Sequence, residues 1–155
     1  MKQQRPVQEC KKRLLVVWLA GAGMLSLLLI AQSMQEEGPY LDRVSDAWGW
    51  FLPNVMPTLS LMVGVAVKEF TAVADDQRVV DSFLFNLSLW LSVGYFTLLM
   101  ASISLQPLFS PNVAPLDFLK QSNLWLGPMQ GIVTLALGAF FGKAEQSGKT
   151  ASEQK

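Results

Sequence analysis

Charged side chains are missing from four long blocks of the chain. Leu14 to Gln35, Ala47 to Val67, Ser82 to Leu116 and Gln121 to Gly142 hold no Asp, Glu, Lys or Arg over 22, 21, 35 and 22 residues. A helix needs roughly 20 apolar residues to cross a hydrocarbon core of ~30 Å, so each block is long enough for one crossing. The Ser, Thr and Asn residues inside the blocks are scattered, whereas a soluble helix gathers its polar residues on one face. The pattern predicts an all-α integral membrane fold with four transmembrane helices, over about residues 14–34, 50–70, 83–105 and 124–141. Residues 1–142 then form one four-helix transmembrane domain. Residues 143–155 are polar and are expected to be a disordered tail.

The first block admits one alternative. A basic tail, an apolar run and Ala31–Gln32–Ser33 resemble a signal peptide with cleavage after Ser33. The run is long for that role and holds Trp18, so it is taken as a retained span.

The second block contains Pro53 and Pro57. Only 11 residues separate Pro57 from Val67, too few to cross, so the span must include both prolines. Pro57 has no N–H to give the carbonyl of Pro53. A helix break is therefore expected over the outer third, with Asn54, Thr58 and Ser60 as local groups able to re-satisfy the backbone. In the fourth block Pro128 suits a first helical turn and places the start of the span near Trp125.

The outer loops carry further signals. Gly38–Pro39 reads as a helix start, with Tyr40, Val44, Ala47 and Phe51 on one face of a short interfacial helix. Pro107, Pro111 and Pro115 punctuate an apolar second outer loop that is expected to lie against the bilayer surface or dip into the bundle mouth.

Sidedness follows from the cations. Lys2, Arg5, Lys11, Lys12 and Arg13 precede the first span, Lys68 and Arg78 join the second and third, and Lys143, Lys149 and Lys155 follow the fourth. Arg43 and Lys120 alone fall on the other side. Ten against two puts both termini in the cytoplasm under the positive-inside rule, and suits a bacterial inner membrane.

Composition narrows the chemistry. Hydrophobic residues make up 51% of the chain and charged residues 15%, with twelve Lys and Arg against twelve Asp and Glu. That balance gives no general attraction to nucleic acid, and none is expected as a partner. There is no histidine, and Cys10 is the single cysteine. The commonest general base and the usual zinc ligands are thereby missing. No span interior holds an ionisable group of the kind proton-coupled pumps use. Asp75, Asp76 and Asp81 read as a solvated turn. No catalytic residue, cofactor or metal site is expected, and the chain is read as a non-enzyme.

The sharpest pattern lies in the fourth span. Gly127, Gly131, Thr134, Gly138 and Gly142 recur at steps of four, three, four and four, forming one helical stripe of small residues. Such stripes let backbones approach closely in lipid, either inside one subunit or at an oligomer seam. The third span offers Asn86, Ser88, Ser92 and Thr97 as a possible polar lining. The expected partners are the lipid bilayer and either a second copy or another membrane protein. The expected role is an accessory or structural subunit acting through assembly; a small oligomeric pore and a transporter component are the alternatives.

A reporter active only outside the cytoplasm checks the topology. Fusions near Asp42 and Asp117 should give signal and a fusion at Lys155 none; signal at Lys155 would overturn the orientation.

Overall fold

The computed structural model describes residues 4–35, 40, 43–71, 79–104 and 114–152. Four helices dominate it: α1 (Val7–Ser33), α2 (Val44–Thr71), α3 (Ser82–Ser104) and α4 (Pro115–Ser152). At 27, 28, 23 and 38 residues they are about 40, 42, 35 and 57 Å long, at 1.5 Å per residue. All four are long and apolar enough to cross a membrane. The protein is an all-α, four-helix integral membrane protein.

The helices pack in a ring. Both α1 and α4 lie against α2 and α3, so the order around the bundle is α1, α2, α4, α3. Helices consecutive in sequence run in opposite directions; α1 therefore runs parallel to α3, and α2 parallel to α4. The inward positions follow helical spacing: Leu14, Trp18, Ala22, Leu25 and Leu29 on α1, and Phe85, Ser88, Ser92, Tyr95 and Leu99 on α3. Trp18, Phe51, Phe85, Tyr95 and Phe140 are all fully buried side chains in this centre.

Aromatic contacts lock α1 to α3. The Trp18 ring stacks toward Tyr95 at 6.3 Å between centroids and meets Phe96 edge-on at 4.8 Å. Each such pair contributes about 0.5–1.5 kcal/mol beyond its area. The Phe96 ring lies directly over Gly21, where a built Cβ would come within 2.8 Å of three ring atoms. Close approach of these two helices depends on that one missing side chain.

Several sequence expectations are corrected. The fourth helix starts at Pro115, not near Trp125, and Pro128 is interior to it. Leu116 and Leu119 are buried, so packing against the bundle carries the helix outward past the point where the proline suggested a start. Residues 143–152 continue α4 instead of forming an irregular tail. The face of Tyr40, Val44, Ala47 and Phe51 does not float at the interface. Tyr40, Ala47 and Phe51 are buried in the bundle, and α2 begins only at Val44, after a turn in which the Arg43 N–H donates to the Tyr40 carbonyl at 2.9 Å. Burial raises the Tyr40 phenol above its ordinary pKa.

A short antiparallel ribbon also escaped the sequence. Strand β1 (Gln4–Pro6) pairs with β2 (Val79–Asp81), setting Gln4 opposite Asp81 and Pro6 opposite Val79. It ties the N-terminal segment to the lead-in of α3, so both sit at the same end of the bundle. Gly38, Pro39, Asp75, Asp76, Pro107 and Pro111 lie outside the described residues, and with them the first part of the second outer loop; its Pro115 opens α4.

Gly21→Leu should therefore lower the melting temperature in detergent, at the 1–3 kcal/mol typical of overpacking. Gly23→Leu, where a built Cβ meets nothing within 4 Å, should leave it nearly unchanged. Equal behaviour of the two variants would show that Phe96 does not hold α1 against α3.

Candidate functional site

Inside a bilayer a freed carbonyl finds no water, and each unsatisfied backbone group costs several kcal/mol. Helix α2 nevertheless runs unbroken through Pro53 and Pro57. The carbonyl that Pro57 leaves without its helical donor belongs to Pro53, and Gln130 Nε2 of α4 donates to it at 3.1 Å. One residue on, Tyr95 Oη of α3 donates to the Asn54 carbonyl at 2.9 Å. The carbonyl that Pro57 frees is thus taken up from α4, and α3 adds a bond at the next residue.

Of the local groups expected to do this, Asn54 does reach a backbone carbonyl of α2, while Thr58 and Ser60 turn elsewhere. Asn54 Nδ2 donates to the Trp50 carbonyl at 2.7 Å and to Asn123 Oδ1 at 3.1 Å. Thr58 Oγ1 lies 3.4 Å from Thr134 Oγ1. Ser60 is exposed on the outer surface of the bundle.

These contacts form a polar seam between α2 and α4. From the outer end inward it comprises Trp50 Nε1 donating to Ser122 Oγ at 3.1 Å, the Asn54–Asn123 amide pair, Gln130 on the Pro53 carbonyl, and the Thr58–Thr134 pair. Ser122 Oγ in turn donates a hydrogen bond to the Leu119 carbonyl at 2.7 Å. Because α2 and α4 run parallel, partners advance together along both helices. Polar bonds of this kind hold membrane helices at about 0.6 kcal/mol each on average. At its outer end Asp46 accepts from Arg43 at 2.6 Å and faces Lys120 at 3.5 Å. Both cations at this end of the seam thus share one carboxylate.

The polar residues of α3 divide between two faces. Ser88 and Ser92 point inward, while Asn86 and Thr97 are exposed. Ser92 Oγ donates to the Ser88 carbonyl at 2.7 Å and accepts from Trp18 Nε1 at 3.0 Å; Ser88 Oγ donates to the Ala136 carbonyl of α4 at 3.2 Å. Thr97 turns back onto the Val93 carbonyl at 2.8 Å. The four do not share a surface, so they line no common path within the subunit. Ser88 and Ser92 act as interhelical bonds in a filled core.

The glycine stripe of α4 faces outward. Gly127, Gly131, Thr134, Gly138 and Gly142 are all exposed, and a Cβ built on any of the four glycines meets nothing within 4 Å. Gly127, Gly131, Thr134 and Gly138 floor a shallow groove of about 730 Å³, flanked by Gln130, Leu135 and Ala139. Within one subunit, then, the stripe is not the close-packing surface; Gly21 against Phe96 is. Thr134 reaches the edge of the polar seam, and Gln130 lies between the seam and the groove.

Gln130, Asn123, Ser122 and Tyr95 were not singled out from the sequence. The available signal was Gln130 itself, the one carboxamide inside the predicted fourth span, since an amide in hydrocarbon requires a partner. Among the described residues, no three His, Cys, Asp or Glu side chains gather as a metal site would need. Comparison with known proteins finds no family model, no curated protein and no solved structure that matches the chain. What fold and site define together is a small multi-pass membrane protein with a closely packed helical core and an open small-residue groove on α4.

A double-mutant cycle tests the repair of the proline break. Gln130→Leu should destabilise the protein, and should do so less when Pro57→Ala supplies an N–H for the Pro53 carbonyl. The expected coupling is about 1 kcal/mol, within the range of interhelical hydrogen bonds. Additive effects of the two substitutions would remove Gln130 from this role.

Proposed function

We propose that the protein acts through assembly in the membrane, as a non-enzymatic structural or accessory subunit that pairs with a second copy of itself along the α4 groove. The observation that carries this is the outward glycine stripe. Without water there is no hydrophobic force to press helices together, so association in lipid rests on shape and weak contacts. A face of glycines exposed to lipid forgoes the acyl-chain contact that larger side chains make, yet allows another backbone to come close. The stripe is also self-complementary: the same patch on two copies can meet about a two-fold axis. Both termini are assigned to the cytoplasmic side of a bacterial inner membrane. The ten-to-two cation count supports that side, and the β1–β2 ribbon supports a common end for the N-terminus and the α2–α3 connection.

A pore is the second reading, and Gln130 and Thr134 favour it. Both are polar residues flanking or lying in the groove, so a path would run between subunits and not through the filled core of one. Ion flux from liposomes containing purified protein separates the two readings.

Gly131→Leu and Gly138→Leu distinguish the seam from a bare lipid face. In mild detergent both variants should stay folded, with unchanged melting temperature, and shift from dimer to monomer. Ile132→Leu should leave the oligomer intact. Variants that remain dimeric would remove the stripe from the interface; a wild type that is monomeric would overturn self-assembly.

A further inference from the structure

Asn86 and Trp90 of α3 are exposed on the outside of the bundle, and neither has a hydrogen-bond or ring partner among the described residues. The other four tryptophans do. Trp18 and Trp50 donate to serine hydroxyls, and Trp48 and Trp125 each meet a phenylalanine ring. Trp90 is instead 72% exposed, and its depth is not that of an interfacial anchor. The midpoint of the 23-residue α3 is Val93, so Trp90 lies about 4.5 Å and Asn86 about 10 Å from it along the axis. With α3 centred in the bilayer, both fall within the ~15 Å half-thickness of the hydrocarbon. An indole N–H and a carboxamide thus face lipid tails, which offer no acceptor. With Val93 and Thr97 they share one helical face, at steps of four, three and four. Thr97 donates to the Val93 carbonyl, so the unmet donors of this face are Asn86 and Trp90. Toward the outer end the face continues as a groove of about 610 Å³ between α1 and α3, where Val93, Phe96 and Thr97 face Val17, Ala20 and Gly21.

We infer that this α1–α3 face seats a transmembrane helix of a different membrane protein, one that carries a hydrogen-bond acceptor at the depth of Asn86 and Trp90. Complementarity decides the occupant. Lipid chains fill the groove but leave both donors unmet, and lipid ester carbonyls lie outside the hydrocarbon. A helix brings the oxygen of an Asn, Gln, Ser or Thr side chain into the hydrocarbon itself. Geometry argues against a second copy of this chain. The α4 groove borders the α2–α4 seam, through Gln130 on Pro53 and Thr134 on Thr58, and α1 with α3 forms the opposite side of the ring. A copy already paired through α4 that paired again through the opposite side would extend into an open row, whereas a different chain leaves the pair closed. The inference rests on the accessory-subunit reading and names the face by which the protein meets the chain it serves.

The test uses the purified full chain in phosphatidylcholine liposomes, with a dye at its C-terminus and a second dye on a synthetic leucine-based transmembrane peptide of about 20 residues. One peptide carries an Asn about five residues to either side of its centre, so that one falls between Asn86 and Trp90 in depth whichever way it inserts. The other peptide is all leucine. Energy transfer to the Asn peptide should saturate, and transfer to the all-leucine peptide should stay at the level of random proximity. Asn86→Leu and Trp90→Leu should each weaken the Asn-peptide signal about threefold in peptide concentration, as for one interhelical hydrogen bond. Both positions are exposed, so the melting temperature of these variants should stay unchanged. Gly131→Leu should leave the transfer unaltered, so loss of α4 pairing and loss of this site are read separately. Equal transfer to both peptides, no transfer above random proximity, or an undiminished signal in both leucine variants would overturn the site. Wild-type assemblies larger than a dimer that fall back to dimers in Trp90→Leu would assign the face to a second copy and overturn the different chain.

Discussion

The structure turns on a single carbonyl. Pro57 leaves the Pro53 oxygen without its helical donor in a medium that offers no water, and the fold has to find it a partner. Gln130 can reach it only if α4 lies beside α2 in parallel register. That placement also sets Ser122 opposite Trp50, Asn123 opposite Asn54 and Thr134 opposite Thr58. It requires α3, which connects them, to cross the diagonal, where Tyr95 takes up the next carbonyl. The ring order of the four helices and the polar seam are two descriptions of that requirement.

Repairing the break from outside has a consequence for rigidity. A local donor such as Thr58 would move with its own helix, and the break would stay soft. Donors on α3 and α4 instead tie the proline segment of α2 to the spacing of three helices. The aromatic cluster fixes the remaining side: Trp18 is held by Ser92, and Phe96 presses on Gly21, so α1 cannot drift from α3. Ser88, Ser92 and Tyr95 are likewise bonded inside the bundle, so the polar groups of its centre hold helices together.

The spans themselves were legible because charge exclusion by the bilayer is severe and local in sequence. Each charge-free block became a helix able to cross, and the inclusion of Pro53 and Pro57 in the second span was legible because the 11 residues from Pro57 to Val67 are too few to cross; the helix itself runs on through both prolines. What covers a given face was not legible. Gly131 and Gly138 have the spacing of a packing surface, but spacing alone does not tell which neighbour arrives, and none does within the subunit. Gly21, in the less regular first span, is the glycine that packs. Helix ends were misjudged for a related reason. Pro128 has the chemistry of a first turn, yet burial of Leu116 and Leu119 outweighs the roughly 3 kcal/mol that an interior proline costs. The pairing of β1 with β2 joins residues more than seventy positions apart, and three-residue strands leave no periodicity to read.

The two ends of the bundle treat charge differently, and the difference bears on what each end can meet. At the end where α2 begins Arg43 and Lys120 both lie against Asp46, one carboxylate for two cations, so part of the positive charge there stays unbalanced by this contact. At the other end Lys12 is exposed while Lys11 is buried beside the Phe141 ring, 5.9 Å from its centre. The glycine face of α4 carries no charge at all, so what it presents to its surroundings is shape alone, the term on which contact in lipid rests.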